Sequence, residues 1–188
     1  MRIISGTARG CRLAAFSSSG IRPTADRVRE ALFSILTSRL GTLAGRKVLD
    51  LFAGTGAMGF EALSRGASSA LFVDSSKNAI ELIRKNATAT RLLENAVITQ
   101  ADARQIIDKP IQKFDLVFID PPYGEQDITE ILLRMAEKKL LTADGIICVE
   151  TAHTTPLPDT IQRLIQTDRR RYGSTSITFY QYGEIQDA

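Results

Sequence analysis

One histidine, His153, is all that this chain of 188 residues contains. It lies in a Thr- and Pro-rich stretch that reads as an exposed loop, so catalysis by a histidine base or a histidine-rich metal site is not expected. Cysteine is almost as scarce. Cys11 and Cys148 stand far apart, and Cys148 sits inside the apolar run Ile146–Val149, so both are expected as plain thiols, with no second ligand pair for zinc. No segment approaches the roughly 20 apolar residues needed to cross a bilayer, and the N-terminus lacks the apolar core of a signal peptide. A cytoplasmic protein with no membrane partner is the resulting expectation. Internal repeats and low-complexity tracts are missing too, so the chain reads as one domain with a small appendage.

What is present is a charge asymmetry and a regular alternation of patterns. Net charge is +3, yet residues 1–46 carry +6 and the remainder −3. All the positive excess is N-terminal, which suits either a polyanionic partner or a merely solvated basic face. Met1–Ser5 and Arg12–Phe16, flanking Gly6-Thr-Ala-Arg-Gly10, predict a β-hairpin. After Pro23-Thr24, the apolar residues Val28, Ala31, Leu32, Ile35 and Leu36 recur at helical spacing, and Gly41 and Gly45 end the helix. The predicted organisation is an N-terminal extension over residues 1–46 that packs on a second unit, residues 47–188.

From Lys47 onward strands and helices alternate. Strands are expected at Lys47–Phe52, Ser69–Asp74, Ala96–Ala101, Phe114–Asp120 and Gly145–Glu150, with helices over Ala57–Arg65, Ser76–Arg91 and Asp127–Leu140 and a short turn at Ala103–Ile107. Near-continuous apolar strands such as Leu116-Val-Phe-Ile119 imply burial on both faces, hence an α/β fold with a mostly parallel sheet. A short helix near Thr160–Gln166 is predicted next, then an antiparallel hairpin, Thr167–Tyr172 with Ser174–Tyr182. In such a sheet ligands bind beyond the carboxyl ends of the strands, where strand order reverses.

The central motif is Val48-Leu-Asp-Leu-Phe-Ala-Gly-Thr-Gly-Ala-Met-Gly59, a strand, a glycine turn and a helix start. Phe52, Ala53, Gly54 and Gly56 form the predicted cofactor loop, where backbone can approach a ligand closely. The spacing Gly54-x-Gly56-x-x-Gly59, with Asp74 beyond it, also fits a dinucleotide fingerprint. Asp50 speaks against a pyrophosphate and for a cationic ligand such as the amino group of S-adenosylmethionine. Asp74 would accept from both ribose hydroxyls, with a helix cap as the bland alternative. Asp102 would accept from the adenine amine, Ala103 N–H would face a ring nitrogen, and a cap on a short helical turn competes nearly evenly.

Asp120-Pro-Pro-Tyr123 is the sharpest chemical signal. The prolines remove N–H donors, leaving carbonyls and a carboxylate at the end of a buried strand. Asp120 and the Pro121 carbonyl would hold the two N–H bonds of an exocyclic amine, and Tyr123 would stack on the base. The alternative is a rigid turn with a structural tyrosine. Arg169-Arg-Arg171 beside Tyr172 adds either RNA contacts or a solvated basic strand.

Asp50–Ala67, the preceding Arg22-Pro-Thr-Ala-Asp-Arg-Val-Arg-Glu-Ala-Leu-Phe33, Asp120–Tyr123, Arg171-Tyr-Gly173 and the opening Met1–Gly6 together resemble the bacterial RsmD family, the 16S ribosomal RNA (guanine-966-N2)-methyltransferases. The resemblance spans nearly the whole chain, and the Arg-Pro-Thr segment is its most specific part. It implies a seven-stranded, Rossmann-like class I methyltransferase sheet with a small N-terminal extension. It further implies S-adenosylmethionine as methyl donor, no metal, and a guanine of 16S rRNA in a 30S subunit or assembly intermediate as acceptor, with the enzyme a monomer. Arg9, Arg22, Arg27 and Arg29 are then the expected RNA contacts. Two departures stand out: Asp74 is often Glu in relatives, and Thr7–Phe16 is less basic than usual. Competing readings are an adenine-N6 or protein-glutamine-N5 methyltransferase, a nicotinamide-dependent oxidoreductase, and an idle rRNA-binding factor.

Overall fold

A computed structural model describes residues 1–16, 23–109, 112–121 and 128–183; the side chains of 23–25 fall outside that description. The Arg22 and Tyr123 expectations therefore lie outside the described residues. Helix α1 covers Pro23–Leu40 and stops at Gly41, whose positive φ of 73° turns the chain out of the helix. Then follow β1 (Lys47–Leu51), α2 (Ala57–Ser64), β2 (Ser69–Asp74), α3 (Lys77–Thr90), β3 (Ala96–Gln100), α4 (Ala103–Ile107), β4 (Phe114–Ile119), α5 (Ile128–Glu137), β5 (Leu141–Ala152), β6 (Thr160–Ile161), β7 (Leu164–Tyr172) and β8 (Thr175–Tyr182).

The strands form one eight-stranded sheet in the order β3-β2-β1-β4-β5-β8-β7-β6. The first five are parallel, and β8, β7 and β6 close the edge antiparallel. Strand order reverses between β1 and β4, which makes that junction the expected ligand position. Because side chains alternate along each strand, one face buries Val48, Phe118 and Cys148 against α1, α2 and α3. The other buries Leu49, Val117 and Val149 against α4 and α5.

The α/β class, the parallel core and the antiparallel end agree with expectation, with one strand more. The helix expected near Thr160–Gln166 does not form. Ile161, Leu164 and Ile165 have helical spacing, yet they lie on β6 and β7, joined by a two-residue turn with Gln162 at φ 51°. Ile161 and Leu164 cover the core beside α5, while Ile165 is exposed, so sheet closure overrides the local period.

The N-terminal segment forms the expected hairpin, bridged at Arg2 and Arg12 with Ile3 N–H donating to Cys11 O at 3.0 Å and Gly10 N–H to Ile3 O at 2.9 Å. Ile3 and Leu13 share a core cluster with Leu32, Phe33 and Phe60. Buried Glu61 on α2 pins this arm by accepting from Ile4 N–H at 2.8 Å and Ser5 N–H at 3.0 Å. Asn86, buried on α3, clips the arm's end. Its Oδ1 accepts from Ala14 N–H at 2.7 Å, and its Nδ2 donates to Ala14 O at 3.0 Å and to Thr55 O at 2.8 Å.

Candidate active site

The turn between β1 and α2 is shaped by three residues at positive φ, Phe52 (59°), Gly54 (55°) and Gly56 (76°). At Gly54 an added Cβ would meet only Phe52 O at 3.9 Å, so the space above it is open. Gly56 and Gly59 have a different reason. A Cβ there would come within 2.6 Å of the Phe60 ring and 2.3 Å of the Phe72 ring, so the glycines let α2 seat on the Phe60–Phe72 pair, whose rings are 4.5 Å apart.

The loop consumes its own donors. Gly54 N–H is bound by Asp74 Oδ2 at 2.8 Å, and Gly56 N–H by Ala53 O at 2.6 Å. A pyrophosphate would need such N–H groups free, so the loop offers the dinucleotide reading little at these two positions.

A cleft open to solvent lies over this loop at the switch point. It is lined by Phe16, Phe52, Gly54, Asp74, Asp102 and Asp120, together with Ala103 and neighbouring atoms. Asp74 faces it while its two oxygens also accept Gly54 N–H and, at 2.9 Å, Ser76 N–H. Ser76, not Asp74, is the N-cap residue of α3. A carboxylate has about four acceptor positions, so Asp74 keeps capacity for two hydroxyls. Asp102 caps α4 through Arg104 N–H at 2.8 Å and still borders the cleft.

Asp50 is placed differently from expectation. It points to the α2 face, is buried at 3 % exposure, and accepts Gly59 N–H at 2.9 Å. It does not line the cleft, because its parity along β1 turns it beneath the helix rather than out of the strand end. Burial, partly offset by the Gly59 hydrogen bond and reinforced by Asp74, pushes its pKa up to about 7.

Asp120 joins this cleft to a second, much smaller pocket on the α1/α2 face. Leu32, Met58, Phe118, Cys148 and Ile177 give that cavity apolar walls, and Asp120 and Glu150 supply its acids. Desolvation, then Glu150 and Asp50, raise the Asp120 pKa, tempered by the accessible surface Asp120 keeps; desolvation raises that of Glu150 as well. Pro121 follows, half-buried. Glu150 lies outside the expected site residues, though Cys148-Val-Glu150 runs from an apolar strand into a carboxylate just as Phe118-Ile-Asp120 does.

Of the basic residues, Arg9 and Arg27 are exposed, while Arg29 is buried at 4 %. Its guanidinium bonds Arg2 O and Asp26 (3.0 Å) and lies 3.6 Å from Glu61, so it braces the arm and is turned away from any phosphate. Arg169 donates to His153 O and Thr155 O in the loop after β5, and Arg170 pairs with Asp168 on its own strand. Among the described residues no cluster of three or more His, Cys, Asp or Glu could hold a metal ion, and no helix is long and apolar enough to cross a membrane.

A doubly wound sheet with an antiparallel edge and an acid-lined cleft at its switch point is the fold of the Rossmann-like, S-adenosylmethionine-dependent methyltransferases. A solved structure named "Putative methyltransferase yhhF", from Escherichia coli, superposes with a TM-score of 0.85 at 30% identity over 97% of both chains. The family model described as Conserved hypothetical protein 95 matches residues 1–181, and the chain belongs to this family, the RsmD family. It is 35% identical to "Putative rRNA methyltransferase YlbH" of Bacillus subtilis over 96% of this chain and 98% of that protein. It is 34% identical to the E. coli "Ribosomal RNA small subunit methyltransferase D" over 84% of this chain and 78% of that protein.

Proposed function

We propose that the protein transfers a methyl group from S-adenosylmethionine to the exocyclic N2 of a guanine in 16S rRNA, in a 30S subunit or an assembly intermediate. The observation that carries this reading is that Asp120 lines both the open cleft and the apolar cavity, so one carboxylate borders a donor site and an acceptor site. The relatives, named as a putative rRNA methyltransferase and a ribosomal RNA small subunit methyltransferase, support the RNA half of it.

The donor fits the cleft. Gly54 leaves room for close approach, Asp74 and Asp102 offer acceptors for ribose and the adenine amine, Ala103 lines the cleft beside the latter, and Phe52 completes the floor, with Ala53 buried behind it. When bound, S-adenosylmethionine supplies an electrophilic methyl on a sulfonium. The residues of this chain have the task of aiming a poor nucleophile, since the amine lone pair is delocalised into the purine. Asp120 and the Pro121 carbonyl hold its two N–H bonds, orienting the nitrogen and stabilising positive charge as the N–C bond forms. The S–C electron pair stays on sulfur, and the surplus proton leaves N2 through Asp120. Tyr123 stacks on the base in this proposal. Residues 1–46 serve as an RNA-binding extension, with Arg9, Arg22 and Arg27 toward phosphate, and residues 47–188 as the methyltransferase unit.

The test is to supply labelled donor with small subunits lacking the modification and to map the methylated base by mass spectrometry. Methyl on guanine N2 is expected; methyl on adenine or on protein glutamine would overturn the reading.

A further inference from the structure

Two strand ends bring a second carboxylate beside Asp120. β4 and β5 are parallel and in register at Phe118↔Cys148 and Ile119↔Val149, so the next step sets Asp120 beside Glu150, about one strand spacing of ~4.8 Å apart. By parity both project to the face that carries Phe118 and Cys148, and both line the cavity there. Among the described residues neither carboxylate has a hydrogen bond or an ion pair. The other strand-end acids, Asp50, Asp74 and Asp102, each have at least one backbone N–H. Two like charges held side by side beside apolar walls repel each other and have no protein donor among the described residues, an arrangement relieved when a ligand that displaces water brings N–H groups to both.

We propose that Glu150 is a specificity-determining residue that accepts the ring N1–H of guanine while Asp120 accepts from the adjacent N2 amine. The inference rests on the methyltransferase reading and sharpens its acceptor. Guanine presents a ring N–H directly next to its exocyclic amine. Adenine and cytosine present a bare ring nitrogen there, whose lone pair would face a carboxylate, and a glutamine amide has no third donor to offer. A row of two acceptors therefore matches one base edge and sets a carboxylate against a ring lone pair in the others. A site built to hydrogen-bond a group discriminates strongly against ligands that lack it.

The experiment uses the full chain and small-subunit particles whose mapped target position carries guanine or adenine, with S-adenosylhomocysteine affinity measured in parallel. The expected wild-type preference for guanine in kcat/KM is on the order of 10²-fold or more. Glu150→Gln, whose amide can turn an N–H toward a bare ring nitrogen, should narrow that ratio about tenfold, with adenine turnover rising. Glu150→Ala should lose activity on guanine chiefly through KM. Both variants should bind S-adenosylhomocysteine within about twofold of wild type, which also certifies their folding. An unmoved guanine-to-adenine ratio in both variants overturns the proposal and leaves the enzymatic reading intact. Equal methylation of adenine by the wild type overturns it too, since the pair would then act as one acid and one acceptor. Wild-type protein that binds the donor product but methylates no rRNA guanine removes both.

Discussion

The two sides of the switch point treat their carboxylates in opposite ways. On the β1/β2/β3 side, Asp50, Asp74 and Asp102 are tied to the N–H groups of Gly59, Gly54, Ser76 and Arg104. On the β4/β5 side, Asp120 and Glu150 face an apolar cavity with no such bonds among the described residues. Acids of the first kind shape a loop before any ligand arrives. Acids of the second kind raise the energy of the empty site and are quieted only by what enters it, which is how a binding surface trades stability for selectivity.

The sharpest way to break this contrast is at Asp120. Asp120→Ala should lower kcat by about 10³-fold while leaving S-adenosylhomocysteine affinity within twofold, because it removes a contact made to the acceptor and not to the donor. Near-normal turnover would mean that the unbonded acids are incidental. A different kind of loss is expected at the arm. Arg29→Ala removes the partner of Asp26 and one of the two cations at buried Glu61, which keeps Arg65 Nε at 2.8 Å, and should cost about 2 kcal/mol in urea unfolding, with the salt dependence of RNA binding unchanged.

Titration separates the two sides more finely. Asp50 has a folded pKa of about 7, above its unfolded value, so the folded state holds the extra proton. Its contribution is complete below the unfolded pKa and is lost as pH rises through the folded one, so the stability it adds falls between pH ~4 and ~7. Asp50→Asn should flatten that part of the melting profile, and an unaltered slope there would contradict the burial argument. At Asp120 the same direction of shift appears in catalysis. Activity should rise with pH as its carboxylate ionises, and Glu150→Gln should move that rise to lower pH by removing a neighbouring negative charge. The smallest effect is at exposed Arg27. Arg27→Glu should weaken RNA binding several-fold and reduce the salt slope by about one.

Much of this was readable in the chain. Leu116-Val-Phe-Ile119 announced a strand buried on both faces, and Gly54, Gly56 and Gly59 announced the loop at the switch point. Asp50 lies away from the expected cleft because strand-end position alone does not carry parity: one residue decides whether an acid tops the sheet or dives under a helix. Arg29 was misread because net charge says nothing about depth. Glu61, Asn86 and Glu150 owe their roles to partners 31 to 72 positions away, such as Thr55 and Ala14, or to a neighbouring strand. Helical period misled at Ile161–Ile165, where i, i+3, i+4 spacing belongs to a tight hairpin.

Asn86 draws two distant stretches of chain onto a single primary amide. Were the first sixteen residues to peel away, that amide would lose two of its three bonds inside a site sealed from water, and the turn held at Thr55 would lose its brace. Fraying, usually free at a chain terminus, is therefore taxed here by the glycine turn itself. Amide exchange at the arm and at the turn should slow and quicken together.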